Sequence, residues 1–173
     1  MISHDRRFFQ ALTDRLAAMR EPFHGRSVLC LAARQGSEVR AFIDRGAFAV
    51  GIDLNPGPSN RWVVVGDFHD LQFADGSIDY VYTNSLDHAF DLDRIIAEVR
   101  RVLRDGGAFI VEANTSDGDG AHAGPYEATV WHDLAPLEQR IHSFGFRLES
   151  RSSFEAPWPG EQLLFRRQES QAP

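Results

Sequence analysis

The chain has a single cysteine, Cys30, among 173 residues. No internal disulfide can form, and a zinc site built from cysteines is excluded. Positive charge is also scarce: 18 basic residues stand against 25 acids, for a formal net charge of −7. That balance argues against a broad nucleic-acid or anionic-membrane footprint. The local basic cluster Arg94, Arg100, Arg101 and Arg104 reads as a solvated helix face. No apolar run approaches a membrane span, and residues 1–20 mix acids and arginines where a signal peptide would be apolar. A cytoplasmic protein, with neither membrane nor nucleic acid as partner, is therefore expected. Internal repeats and long low-complexity tracts are lacking too. So are Gly-x-Ser-x-Gly, Gly-x-x-x-x-Gly-Lys and His-x-x-x-His, which removes the nucleophile elbow, the phosphate-cradling loop and a helical metal pair. His69, His122 and His132, with Asp119, are scattered without ligand spacing. Solvated loop histidines and no metal are expected.

What the chain does have is apolar residues, 43% of the total, enough for one domain with a sizeable core. A single domain over residues 1–173 is expected: an N-terminal helix within 1–24, a core over 27–168 and a frayed tail at 169–173. Short apolar runs recur at residues 28–31, 49–53, 62–65, 78–84 and 108–113. Between the last two, Leu92, Ile95, Ile96, Val99, Val102 and Leu103 follow helical spacing, and Arg104-Asp105-Gly106-Gly107 reads as a stop. Strands alternating with helices imply a mostly parallel sheet covered on both faces. Downstream, residues 131–144 give a helix with Leu134, Leu137 and Ile141 inward. Residues 147–156 and 162–167 read as two strands joined by a turn containing Pro157-Trp158-Pro159-Gly160. Upstream, residues 5–20 form an amphipathic helix with Phe9, Leu12, Leu16 and Met19 on one side, packed over a sheet edge. The expected fold is α/β: a Rossmann-like three-layer sandwich around a mostly parallel seven-stranded sheet with a C-terminal antiparallel hairpin.

In such a sheet the acid of Gly51-Ile52-Asp53 sits at the carboxyl end of the second strand, beside the turn that follows the first. A carboxylate there can accept both hydroxyls of a ribose, while the first turn lets a ligand approach the backbone. That is the geometry of a nucleoside-containing cofactor site.

These segments resemble the class I S-adenosylmethionine-dependent methyltransferases, in particular the small methyltransferase-domain (type 11-like) family. The resemblance runs from about Val28 to Ala113. Gly51-Ile52-Asp53-Leu54-Asn55 is similar to the family's ribose-binding loop, and Val65-Gly66-Asp67-Phe68 to the start of its adenine-binding segment. Glu98-Val99-Arg100-Arg101-Val102-Leu103 is similar to its helix before strand five. The resemblance implies S-adenosylmethionine as cofactor. It also implies cofactor contacts from Leu31, Ala32, Ala33, Arg34 and Gly36, from Asp53, Leu54 and Asn55, and from Gly66, Asp67 and Phe68. After strand four, Thr83, Asn84 and Ser85 would line the crevice, with His88 as general base and Asp87 as its orienter. The first motif departs from the family: Cys30 stands where an acid is expected, and Ala32 and Arg34 replace two of three glycines. An arginine there can obstruct the pocket or pair bidentately with the cofactor carboxylate, and the intact downstream motifs favour pairing.

The implied function is methyl transfer to a small-molecule or glycan acceptor. The Gly- and Asp-rich segment within residues 115–126 would form the substrate loop, with aromatics Tyr126, Trp131 and Trp158 nearby. A non-catalytic module that keeps the fold is the alternative, supported by the altered glycine turn. An NAD-linked oxidoreductase is disfavoured by the missing second domain and missing Gly-x-Gly-x-x-Gly. The sequence specifies neither the acceptor nor the oligomeric state.

Overall fold

The computed structural model describes residues 3–113, 131 and 133–169. In chain order the elements are α1 (Ser3–Ala18), β1 (Ser27–Leu31), α2 (Ser37–Asp44), β2 (Phe48–Asp53), β3 (Val63–Val65) and β4 (Ile78–Thr83). A 3-10 turn at Leu86–His88 leads to α3 (Leu92–Val102), β5 (Leu103–Ala113), α4 (Ala135–Ser143), β6 (Phe146–Phe154) and β7 (Gly160–Arg167). The strands form one seven-stranded sheet in the order β3-β2-β1-β4-β5-β7-β6. Pairs from β3 through β5 are parallel, while β7 runs antiparallel to both β5 and β6. Strand order reverses between β1 and β4, so the connections after them leave the sheet in opposite directions and open a crevice.

Apolar side chains fill both faces. On one face α3 and α4 bury Ile95, Ile96, Val99, Leu137 and Ile141 against Leu31, Val81 and Phe109. On the other α1 and α2 bury Phe8, Leu12, Leu16 and Phe42 against Cys30, Tyr82 and Ile110. Helix α1 therefore lies over the centre of the sheet, not its edge, and Phe8 belongs to its inner face where Phe9 and Met19 are only partly buried. Arg15 fixes it there by donating to both oxygens of Glu112 on β5, from Nε at 2.7 Å and Nη2 at 2.8 Å. No helix among the described residues is long and apolar enough to cross a membrane.

Two local readings change. Arg104-Asp105-Gly106-Gly107 is not a loop: α3 ends at Val102, Leu103 is already extended (φ −67°, ψ 136°), and β5 runs through all four residues. The pairing with β4 shifts register at this point, between Ile78 and Tyr80. Gly107 is required there because a Cβ would lie 2.8 Å from the Arg104 carbonyl oxygen. The arginines after Glu98 are not simply solvated either. Arg101 donates to Glu98, to Asp75 and to the carbonyls of Leu71 and Phe73, and Glu98 accepts the Leu71 N–H at 2.7 Å. Arg100 donates to the Gly145 carbonyl and Arg104 pairs with Asp79. The β3–β4 connection, residues 66–77, contains no helix, and these side chains hold it against α3.

Candidate functional site

The crevice lies at the carboxyl edge of the sheet, where Leu31 of β1 is level with Ile52 of β2 and Cys30 with Tyr82 of β4. The turn leaving β1 is tight and left-handed at alternate residues: φ is +52° at Ala32, +38° at Arg34 and +82° at Gly36. The backbone follows a glycine path although two of the three residues carry side chains, at a strain of about 1–2 kcal/mol each. Gly36 could not be replaced the same way, because its Cβ would stand 2.7 Å from the Cβ of Trp62. Gly51 on β2 leaves room for the Ala33 methyl group, 2.6 Å from where its own Cβ would be.

Hydrogen bonds on both sides of Arg34 hold the strained peptide. Asp53 Oδ2 accepts the Arg34 N–H at 3.0 Å, and Asn60 Nδ2 donates to the Arg34 carbonyl at 3.0 Å. Asp53 Oδ1 accepts from the Asn55 N–H at 2.8 Å. Each carboxylate oxygen keeps a further lone pair for a ligand donor. Leu54 projects beside it, 68% exposed, and the Arg34 side chain is exposed with no ion pair among the described residues. Asn60 was not legible in the sequence, since nothing local marks a loop side chain that reaches back across the sheet end.

Next along the edge, Asp67 Oδ1 accepts the His69 N–H and faces His69 Nδ1, both at 2.8 Å. The His69 backbone bond, followed by its ring, holds the Asp67 carboxyl below the usual range. His69 is therefore no solvated loop histidine: it is largely enclosed, edge-on to Phe68 with ring centres 4.8 Å apart. Phe68 itself is half-buried against the core. A Cβ on Gly66 would meet Gln72 Oε1 at 2.7 Å.

At the end of β4, Thr83 is buried and its Oγ1 accepts the Ser85 N–H at 3.1 Å, while Asn84 Oδ1 accepts from Ser85 Oγ at 3.0 Å. These bonds turn the chain into the 3-10 segment, where Asp87 Oδ1 and His88 Nε2 lie on the same side, 3.7 Å apart. Just beyond is a cavity of about 410 Å³ between Phe90, Leu92, Trp131, Leu137 and Arg140, with Arg140 paired to Asp93. Trp131 thus stands at a cavity beside the crevice. Trp158 does not: its ring stacks on Phe8 of α1 at 5.7 Å, anchoring the β6–β7 turn. Tyr126, His122, His132, Asp119 and the segment 115–126 lie outside the described residues, as do residues 170–173. Among the described residues no three His, Cys, Asp or Glu side chains converge as metal ligands.

A polar cluster under the crevice on the α1 side was not legible in the sequence. Glu112 there also accepts from the Tyr82 hydroxyl at 2.9 Å and from Gln162 Nε2 at 2.7 Å. Glu38, in the first turn of α2, is buried as well, and burial pushes its carboxyl up to about 7 despite the nearby Arg34 charge. Burial raises the Cys30 thiol too, with Glu38 adding to the effect.

Residues 29–111 match the model of a family described as a methyltransferase domain. The chain is 33% identical over 105 residues to the demethylmenaquinone methyltransferase of Thermobifida fusca, covering 53% of this chain and 44% of that protein. It thus spans less than half the length of that curated relative. Among solved structures, a chain from the complex between the Haloferax volcanii Trm112 methyltransferase activator and a methyltransferase superposes with a TM-score of 0.77 at 21% identity. That match covers 98% of this chain and 92% of that one. The Burkholderia thailandensis 1,6-didemethyltoxoflavin-N1-methyltransferase, solved with 1,6-didemethyltoxoflavin and S-adenosylhomocysteine bound, gives 0.72 at 18% identity, covering 96% and 79%. At these identities the structural likeness is one of fold.

Proposed function

We propose that the chain, whose residues 29–111 match the methyltransferase-domain family, is a class I methyltransferase that transfers a methyl group from S-adenosylmethionine to a small-molecule or glycan acceptor in the cytoplasm. The observation that carries the reading is the coupling of Asp53 to the left-handed Arg34 peptide. A family-like backbone turn persists there without the family's glycines. The donor set around it suits an adenosyl amino acid: an accessible carboxylate, an exposed apolar side chain and an exposed guanidinium.

When bound, S-adenosylmethionine supplies an electrophilic methyl group on a sulfonium centre. Asp53 accepts both ribose hydroxyls through its remaining lone pairs. Leu31, Ala32, Ala33 and Gly36 form the backbone floor, and Arg34 pairs with the amino-acid carboxylate through its planar fork. Leu54 and Asn55 border the sugar, while Gly66, Asp67 and Phe68 meet the purine. Thr83, Asn84 and Ser85 shape the wall facing the acceptor. Methyl transfer is an in-line displacement, so alignment contributes most, and a base is needed only when the acceptor atom carries a proton. His88 takes that proton, with Asp87 orienting the ring: an Nε2–H facing the carboxylate leaves the Nδ1 lone pair for the acceptor. The cavity between Phe90 and Trp131, bordered also by Asp91, Asp93 and Arg140, suits an acceptor with one apolar face and a polar edge. Both similar proteins named above for small-molecule acceptors support that half of the reading.

The test is a screen of acceptors with labelled S-adenosylmethionine, repeated with chelator and with His88→Ala. Labelled product should appear, chelator should leave turnover unchanged, and His88→Ala should lower kcat about 10²–10⁴-fold for a protonated acceptor. Binding without turnover across the panel would favour the non-catalytic module, which the strained turn also suits. Activity lost to chelator and restored by a divalent ion would overturn the metal-free mechanism.

A further inference from the structure

Glu38 is a buried carboxyl that no other side chain satisfies. It lies in the first turn of α2, two residues after Gly36, and is only 7% exposed. Its own backbone N–H donates to it, and no other described residue does. A carboxyl so placed costs stability until a donor reaches it. The groups that act on it come from every side: Asp5 of α1, Cys30 of β1, Arg34 of the turn, Tyr82 of β4 and Glu112 of β5. Together they leave the place short of positive charge. Arg15 is bound to both oxygens of Glu112, and Arg34 is exposed with no ion pair among the described residues. Cys30, which stands where the first motif would carry an acid, is kept neutral by burial, so the negative charge beside this turn comes from α2. The described side chains form no metal-ligand cluster, which makes an organic cation the fitting occupant.

An S-adenosyl amino acid brings such a cation. Arg34 is the partner of its carboxylate, and its ammonium stands on the adjoining carbon. We propose that Glu38 binds this ammonium while Arg34 holds the carboxylate, an assignment that rests on reading the crevice as an S-adenosyl site. The ammonium supplies the donors that Glu38 lacks, and Glu38 gives up its own proton to receive them. In the free protein that proton leaves at about pH 7, whereas an α-amino group keeps its proton up to about pH 7.7–8.0. Binding favours the ionised carboxyl and lowers its pKa. Below pH 7 it therefore releases a proton, and affinity rises with pH until Glu38 is ionised.

Isothermal titration of the full chain with S-adenosylhomocysteine, in buffers of different ionisation enthalpy, reads that proton. At pH 6.5 the wild type should release about 0.7 proton per site, and its Kd should fall about tenfold between pH 5.5 and pH 7. Glu38→Gln should abolish the release and bind about tenfold more weakly at pH 7.5, while melting no lower than the wild type. Misfolding cannot produce that combination. The desamino analogue of S-adenosylhomocysteine, which keeps the carboxylate, should release no proton and bind Glu38→Gln no more weakly than the wild type. Proton release that persists in Glu38→Gln, or a desamino analogue held by the wild type as tightly as S-adenosylhomocysteine, would overturn the assignment and leave the cofactor reading standing. A wild type that binds no S-adenosylhomocysteine would overturn both.

Discussion

Arg34 carries two opposed effects. Its backbone sits at φ +38°, where a side chain is costly, while its exposed guanidinium is the cation proposed for the cofactor carboxylate. Arg34→Gly should separate them. Relief of about 1 kcal/mol of strain should raise the melting temperature by about 2–4 °C. Loss of the charge-assisted fork should weaken S-adenosylhomocysteine binding about tenfold or more. Thermal melts and calorimetry on one variant read both, and tighter binding would show that the arginine obstructs the pocket. Glu38 makes a pH prediction. Its carboxyl has a pKa of about 7 folded against an ordinary 4.5, so the folded state holds the proton more strongly. That contribution to stability is complete below about pH 4.5 and is lost as pH rises through 7. Glu38→Gln, which has no proton to lose, should match the wild type near pH 4 and exceed it by up to about 3 kcal/mol at pH 8 in denaturant titrations. A gap that does not change with pH would place the carboxyl in water.

Elements were legible wherever a whole face is buried. The run Val28–Leu31 is apolar throughout, and Ile78–Thr83 is broken only by Asp79 and the buried Thr83, because both sheet faces are covered; the three- and four-residue spacing of α3 survives intact. The place of Asp53 at the end of β2 was legible for a related reason, whereas its bonds to the Arg34 and Asn55 N–H groups were not. Decisions made by distant partners were not legible. Gly106-Gly107 has the chemistry of a helix stop, and only the pairing of β5 with β4 turns it into a strand bulge. His69 looks like any loop histidine until Asp67 folds back onto it, and the arginines of α3 look solvated until residues 66–77 settle on them. Helix α1 gives the clearest case, since its amphipathic pattern fixes which side is buried but not what it lies on. Arg15 supplies that information by reaching Glu112. Arg15→Ala would leave a buried carboxylate without its cation and should cost about 3 kcal/mol, lowering the melting temperature by about 6–12 °C. A loss near zero would mean that α1 is held by its apolar face alone.

At the scale of the whole molecule, the order of the strands brings the pieces together. The reversal between β1 and β4 gathers Arg34, Asp53, Asp67 and His88 along one edge, although they span more than fifty residues of sequence. That edge should bind an S-adenosyl cofactor, and the deciding measurement is isothermal titration with S-adenosylhomocysteine, with NADH as the comparison and Asp53→Ala beside the wild type. S-adenosylhomocysteine should bind saturably at one site, NADH should not bind, and a folded Asp53→Ala should lose about 1.5–3 kcal/mol. No saturable binding by the wild type, or equal affinity in the two proteins, would contradict it.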